Sequence, residues 1–184
     1  GADRVLTMDL HCLQIQGFFD IPLANLVGGP TLYNYFKPKV DENFVVVSPD
    51  IGSVGRARKV AARMDAKMAI IDKRRPKANV MEVMNIIGDV KDKKCLMVDD
   101  MIDTAGTIVQ GAKALKEAGA KEIYACCSHG VLSGPAVERL ASSPITELAM
   151  LDTINIPEEK MLPTFKMIST ANIFAAAIEN VYMD

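Results

Sequence analysis

A short segment in the middle of the chain has the composition of a ligand-binding loop. It contains three carboxylates and then four small residues, namely Asp99, Asp100, Asp103, Thr104, Ala105, Gly106 and Thr107. A turn without bulky side chains lets backbone N–H groups converge on an anion, and the helix predicted to follow adds more free N–H groups. Carboxylates accept hydrogen bonds from sugar hydroxyls or bind Mg²⁺. The segment therefore predicts a ligand with a phosphate at one end and vicinal hydroxyls at the other.

The same segment also has a simpler interpretation. Asp103 and Thr104 are residue types that cap helices, and Asp99 and Asp100 would then be a solvated strand end. We favour the binding loop because the motif is long, whereas the Asp-Asp pair alone indicates little.

A second candidate loop contains Asp50, Gly52 and Ser53. It follows the apolar residues 44–47 and precedes a helix predicted over residues 56–64. The functional interpretation is a second phosphate-binding loop in which Asp50 holds Mg²⁺. The alternative is an ordinary β-turn beside solvated basic residues.

Basic residues are concentrated just after a predicted strand over residues 69–71. They are Lys73, Arg74, Arg75 and Lys77. Such a run is usually a solvated loop, and it lacks the interleaved aromatic residues of a nucleic-acid-binding surface. Beside two anion-binding loops, a flexible basic arm fits phosphoryl transfer, where fixed positive charge stabilises the transition state.

His11 stands near Asp9 at the end of a strand predicted over residues 4–10. A structural role and a ligand-binding role both remain open for this histidine. The second histidine, His129, follows another predicted strand, and we expect it to support the site rather than to contact the ligand.

Composition excludes several classes of protein. The chain has 184 residues, 49 % of them apolar, and a formal net charge of −2, so neither nucleic-acid nor membrane affinity is expected. The start of the sequence does not resemble a signal peptide. The four cysteines contain no C-x-x-C pair, which favours free thiols in a cytoplasmic protein.

Short apolar runs alternate with segments of helical spacing along the chain. This pattern predicts an α/β fold with a doubly wound, mostly parallel sheet flanked by helices. The predicted buried strands cover residues 44–47, 69–71, 95–98, 123–127 and 147–151, and the predicted helices include residues 136–140 and 171–182. Residues 23–35 are predicted as a turn and a helix, and residues 80–90 as a hairpin that packs on another subunit. In such sheets ligands bind at the carboxyl ends of the strands.

Two sequence motifs carry a family resemblance. Residues 99–107 resemble the ribose 5-phosphate-binding fingerprint of type I phosphoribosyltransferases. Residues 9–22, Asp-Leu-His-Cys-Leu-Gln-Ile-Gln-Gly-Phe-Phe-Asp-Ile-Pro, resemble the signature of ribose-phosphate pyrophosphokinases. Together with the loop at Asp50 and the basic arm, the motifs occur in the order that this second family has.

The resemblance implies a role for each candidate residue. Residues 99–107 would bind ribose 5-phosphate, Asp50, Gly52 and Ser53 would form the pyrophosphate loop, and His11 and Asp50 would serve Mg²⁺. Lys73 and Arg75 would be the catalytic cations. The implied reaction passes the β,γ-diphosphoryl group of the co-substrate ATP to ribose 5-phosphate. Ser53 replaces a glycine that the family usually has in its loop.

The resemblance also implies how the chain is organised. Residues 1–28 would end an N-terminal domain, residues 29–168 would form the C-terminal domain, and residues 169–184 would be a closing helix that packs on the first domain. We therefore expect a fragment that is poorly active alone, from a family that forms hexamers built from dimers. A phosphoribosyltransferase and a non-catalytic synthetase-associated subunit remain alternatives.

Overall fold

A seven-stranded sheet forms the centre of the fold in a computed structural model that describes residues 1–74 and 83–183. Its strands are β3 (Phe44–Ser48), β4 (Lys67–Arg74), β5 (Val83–Ile87), β6 (Lys94–Val98), β8 (Glu122–Cys127), β10 (Glu147–Leu151) and β11 (Phe165–Ile168). Four further strands form two small sheets outside it, namely β1 (Val5–Met8) with β2 (Leu23–Leu26), and β7 (Met101–Ile102) with β9 (His129–Gly130). The order is β11-β10-β8-β6-β3-β4-β5, and every neighbouring pair is parallel except β4 with β5. The predicted doubly wound, mostly parallel sheet is confirmed.

Helices cover both faces of this sheet. They are α1 (Gly29–Phe36), α2 (Val54–Met64), α3 (Gly106–Glu117), α4 (Ala136–Ala141) and α5 (Ala171–Met183), with short 3-10 helices at Leu13–Phe18, Lys37–Lys39 and Glu158–Lys160. Side chains of β6 alternate between the two faces. Cys95 and Met97 pack in the cluster with α3 and α4, whereas Leu96 and Val98 pack in the cluster with α1 and α2. This two-sided burial explains why residues 95–98 of the strand are all apolar.

The chain changes direction across the sheet between β3 and β6. From β3 it continues through α2 to β4 on one side, and from β6 it continues through α3 to β8 on the other. The loops that leave these two neighbouring strands therefore diverge and leave a crevice, which is where open α/β sheets bind ligands. The predicted loops at residues 50–53 and 99–107 are the two loops that border this crevice.

Three local predictions were wrong. Leu23–Leu26 is a strand rather than a turn, because it pairs in parallel with Val5–Met8 in a separate two-stranded sheet. Strand β4 extends to Arg74 because β5 pairs with it, so Lys73 lies in a strand opposite Met84 and not in a loop. For the same reason the predicted hairpin over residues 80–90 contributes one described strand to the main sheet. Arg75 lies outside the described residues.

Cysteine placement agrees with free thiols. Cys95, Cys126 and Cys127 are buried and Cys12 is exposed, and all four are unpaired. Burial raises the pKa of the Cys95 and Cys126 thiols to about 12, which keeps them protonated. None of the helices described is long and apolar enough to cross a membrane.

Replacing Leu96 by alanine should lower the free energy of unfolding by about 3 kcal/mol, because a fully buried side chain leaves a cavity in the sheet. Urea denaturation followed by circular dichroism would measure the change. The matched control is Leu13→Ala, at a side chain that is 61 % exposed, where we expect a change below about 0.5 kcal/mol. Equal losses in the two variants would contradict this assignment of the core.

Candidate functional site

Asp99 and Asp100, which we call the acidic corner, meet two basic side chains from distant parts of the chain. Arg56 Nη1 lies 2.8 Å from Asp99 Oδ1 and 3.2 Å from Asp100 Oδ1. His11 Nδ1 lies 2.7 Å from Asp100 Oδ2. Arg56 is in the first turn of α2, so it crosses the crevice from the β3 side to the β6 side. The carboxylates therefore face basic side chains and not the apolar interior.

The acidic corner has an uneven electrostatic balance. Burial raises the pKa of Asp99 to about 6, and the neighbouring Asp100 adds to this increase. Burial also acts to raise the pKa of Asp100, but the hydrogen bond from His11 and the charge of Arg56 outweigh it and lower the pKa below its usual value. The partners of Asp100 thus favour its ionised form, whereas burial disfavours the ionised form of Asp99.

The loop that follows the acidic corner presents free backbone donors. Ala105 has a left-handed conformation (φ 59°) and is the N-cap of α3. Within the described part of the chain, the amides of Thr104, Ala105, Gly106 and Thr107 have no hydrogen-bond acceptor. A helix N-terminus with several free N–H groups attracts anions. This arrangement agrees with the predicted phosphate-binding loop.

A cavity of about 190 Å³ lies over these amides. Its lining includes Asp50, Asp99, Asp103 and the four small residues of the loop. The side chains of Asp103, Thr104 and Thr107 are exposed, so carboxylate and hydroxyl groups are available at its rim. The cavity combines anion-binding donors at one end with carboxylate acceptors at the other.

Arg139 of α4 contacts the backbone of the loop at residues 104–107. Its Nη1 donates to the Thr104 carbonyl at 2.9 Å, and the same atom would lie 3.6 Å from a side chain added at Gly106. Because this bond fixes the peptide just before the left-handed turn at Ala105, it helps to direct the following amides into the cavity. Nothing in the sequence of α4 pointed to this role.

Side chains of the loop after β3 form hydrogen bonds with the loop's own backbone. Asp50 Oδ1 accepts a hydrogen bond from the Ser53 amide at 2.7 Å, and the Ser48 hydroxyl donates to the Asp50 carbonyl at 2.6 Å. Ser53 has φ −88°, which any residue adopts, so serine in place of glycine causes no backbone strain here. Unlike the loop at residues 104–107, this loop already uses the Ser53 amide.

A second cavity, of about 380 Å³, adjoins the first at Asp99. Its lining includes Asp9, His11, Arg56, Lys59 and Asp100, together with apolar residues of α1. Positive and negative groups are therefore both available for a polar ligand. The two cavities meet at the acidic corner, so a ligand in one would lie beside a ligand in the other.

The described residues hold no group of three or more histidine, cysteine or acidic side chains that is arranged to bind a metal ion. His11 is paired with Asp100, and Asp50 lines the other cavity. The proposed metal roles of His11 and Asp50 therefore stay predictions, as do the catalytic roles of Lys73 and Arg75.

Sequence reasoning missed Arg56 and Arg139 as parts of the site. Arg56 was considered only as one of the solvated basic residues in the alternative β-turn interpretation. Its contact with the acidic corner joins residues that are 43 and 44 positions apart, which local sequence patterns do not show. The available signal was its place in the first turn of a helix that follows a candidate loop. Such a position always lies near the carboxyl ends of the strands in a doubly wound sheet.

Comparisons with known proteins agree with this geometry. A family model described as "Phosphoribosyl synthetase-associated domain" matches residues 73–184. The ribose-phosphate pyrophosphokinase of Clostridium perfringens (strain 13 / Type A) is 63 % identical over 187 residues, covering 100 % of this chain and 59 % of the relative. The chain thus spans less than two thirds of the length of this relative.

Two solved structures extend the comparison. Phosphoribosylpyrophosphate synthetase from Mycobacterium smegmatis is 40 % identical and superposes with a TM-score of 0.90, over 100 % of this chain and 60 % of that chain. APRTase from Giardia lamblia is 16 % identical with a TM-score of 0.53, over 66 % of this chain and 74 % of that chain, which indicates a shared fold alone.

Replacing Arg56 by glutamine should raise the pKa of both carboxyls of the acidic corner, because the guanidinium charge lowers both. For Asp99 the pKa should rise above about 6. A pH titration of the carboxyl ¹³C shifts would measure it. Arg58→Gln, on the exposed surface of the same helix, is the matched control and should leave both values unchanged.

The same shifts determine the sign of the pH dependence of stability. Because the native pKa of Asp99, about 6, exceeds its usual 3.8, the native state binds more protons than the unfolded state between these values. The contribution of Asp99 to the free energy of unfolding therefore falls as the pH rises through this window. The contribution of Asp100 to the free energy of unfolding has the opposite sign: it rises with pH below pH 3.8, because the native pKa of Asp100 is lower than its usual value. An Arg56→Gln variant whose Asp99 pKa is unchanged or lower would contradict this account.

Proposed function

Because this chain belongs to the ribose-phosphate pyrophosphokinase (phosphoribosyl synthetase) family, we propose that it is the ribose 5-phosphate-binding part of such an enzyme. The reaction transfers the β,γ-diphosphoryl group of ATP to O1 of ribose 5-phosphate and gives phosphoribosyl pyrophosphate and AMP. The nucleophile is the anomeric hydroxyl oxygen, and the bond that breaks joins the α-phosphate to the β-phosphate.

The observation that carries the proposal is the set of free amides at residues 104–107 beside the acidic corner. The 5-phosphate would bind these amides and the hydroxyls of Thr104 and Thr107. The ribose diol would donate to the nearby carboxylates, among them Asp103. A ligand held at both ends presents O1 in a fixed direction, and such orientation supplies much of the rate enhancement in a displacement reaction.

The other proposed roles rest on the family resemblance and, for Asp50 and His11, also on the cavities that these two residues line. Asp50, Gly52 and Ser53 would contact the transferred pyrophosphate, which requires Asp50 to release the Ser53 amide. Lys73 and Arg75 would stabilise the negative charge that develops during transfer. His11 would serve the metal that accompanies ATP.

The donor set fits Mg²⁺. This ion prefers oxygen ligands, keeps several waters, and usually binds one or two carboxylates together with substrate phosphates rather than a complete protein cage. Asp50 and Asp99 line the same cavity and supply such oxygens. A nearby cation would also lower the raised pKa of Asp99, since positive charge favours the ionised carboxyl. When bound, Mg²⁺ neutralises phosphate charge during transfer.

We extend the proposal to the setting of the protein. Homo-oligomerisation, as a hexamer built from dimers, and a cytoplasmic location remain proposals for this chain. The organisation into residues 1–28, 29–168 and 169–184 is proposed on the same basis.

A synthetase-associated subunit without activity is the second candidate, because the matching family model is described as a "Phosphoribosyl synthetase-associated domain". We favour the enzyme because the acidic corner, the small-residue loop and the basic run are all intact in this sequence. A phosphoribosyltransferase shares the fold but is less well supported, since its motif covers residues 99–107 alone.

Calorimetry should detect binding of ribose 5-phosphate to the 184-residue chain, and Thr107→Val should weaken it about tenfold because a hydroxyl donor to a charged phosphate is lost. Thr164→Val is the matched control, since Thr164 precedes β11 at the opposite end of the sheet. Ribose without phosphate should bind far more weakly. Absence of binding, or equal losses in the two valine variants, would exclude the proposed site.

AMP release from Mg-ATP and ribose 5-phosphate should be slow or absent with this chain alone, because we infer that residues recognising the nucleotide lie in the part of the relatives that it does not match. A full-length ribose-phosphate pyrophosphokinase is the positive control. Turnover of the chain at a rate comparable to that control would disprove the inference and would leave the proposed reaction intact.

A further inference from the structure

The turn after β8 is bonded to the backbone of the acidic corner. The amides of Ser128 and His129 both donate to the Asp100 carbonyl, at 3.0 and 2.9 Å. These two bonds fix the peptide from which the Asp100 side chain extends. Ser128 and His129 therefore determine where that carboxylate lies.

The side chains of the same two residues are bonded to the segment that carries His11. His129 Nε2 lies 3.1 Å from the Met8 carbonyl and 3.2 Å from the Asp9 carbonyl. Because carbonyl oxygens only accept, Nε2 carries a hydrogen and donates. The Ser128 hydroxyl donates to Asp9 Oδ2. Ser128 and His129 thus contact both segments of the His11–Asp100 pair.

The segment held in this way has an unusual conformation. Asp9 has φ 44°, in the left-handed region, which few residues other than glycine adopt and which aspartate adopts more readily than most. Its carboxylate also accepts from the Gly28 amide at 3.1 Å, and its own amide donates to the Leu26 carbonyl at 2.9 Å. The left-handed turn ends β1 and directs the chain toward Asp100.

His129 is itself held in place from its other side. Nδ1 lies 2.8 Å from Thr153 Oγ1, and the Thr153 hydroxyl donates to the Ser128 carbonyl at 2.8 Å. Both ring nitrogens therefore have protein partners, so the ring is held in one orientation. Residues of three different loops form one connected hydrogen-bond network around the turn at Asp9.

We propose that Ser128 and His129 are positioning residues. They fix the left-handed turn at Asp9 relative to the Asp100 peptide, and so keep His11 Nδ1 within hydrogen-bond distance of Asp100. They act through His11 and Asp100, and Ser128 also lines the second cavity. The consequence for catalysis rests on the proposed role of His11, whereas the positioning does not.

Hydrogen exchange of the 184-residue chain, followed by mass spectrometry, tests the proposal. His129→Leu should speed exchange of the amides of residues 8–12 at least about tenfold, because the donor to two carbonyls is lost. His129→Gln places an amide donor near the position of Nε2, so its exchange rate should lie within about twofold of the wild type. Thr153→Val keeps His129 but frees its ring, and should speed exchange of the same segment by a smaller factor.

The pattern of exchange separates positioning from general destabilisation. Amides of β3, in which every residue is buried, should exchange at wild-type rates in all three variants. Uniform acceleration in β3 and residues 8–12, or no acceleration in either His129→Leu or Thr153→Val, would overturn the proposal. If His129→Leu does not fold, the contrast between Thr153→Val and His129→Gln decides in the same way. Ribose 5-phosphate binding, measured in parallel, tests the proposed function separately.

Discussion

Two adjacent carboxylates at the end of a buried strand repel each other, and the site is arranged around that repulsion. Asp100 is stabilised as an anion by His11 and Arg56, whereas Asp99 is left with a pKa of about 6 because burial dominates there. The partners come from opposite sides of the crevice between β3 and β6. The acidic corner therefore connects the segment after β1, the helix after β3 and the end of β6, and its geometry depends on all three.

The small-residue loop balances this negative charge within a short distance along the chain. Its free amides and the start of α3 create a positive potential directly after the acidic corner. Neither group alone would select a sugar phosphate, since amides bind many anions and carboxylates bind many hydroxylated or cationic ligands. In the proposed function, their juxtaposition would select a molecule with an anion and hydroxyls at a fixed separation. Arg139 contributes indirectly, because it fixes the carbonyl that precedes the left-handed turn at Ala105.

Features encoded by neighbouring residues were predictable from the sequence, and features that depend on distant contacts were not. The apolar run over residues 95–98 and the small residues that precede a helix are local patterns, and the structure has a strand at Lys94–Val98 and a helix that begins at Gly106. Strand Leu23–Leu26 was missed because it is stabilised by pairing with β1, and each of its residues is half-buried. Arg56 was missed because a basic residue on a helix surface gives no local signal of its partner.

The site likewise has two parts, one formed by neighbouring residues and one formed by distant contacts, and we expect them to differ in resistance to local unfolding. The proposed phosphate-binding loop is formed by consecutive residues at the start of one helix, so its amides converge wherever β6 and α3 form. The His11 side instead joins residues 89 positions apart, and it depends on a left-handed aspartate that side chains from other loops hold in place. Local unfolding begins where few contacts oppose it. Loosening of the network around Asp9 would therefore impair the His11 side first and leave sugar phosphate recognition largely intact, so the two halves of the site can be separated by mutation.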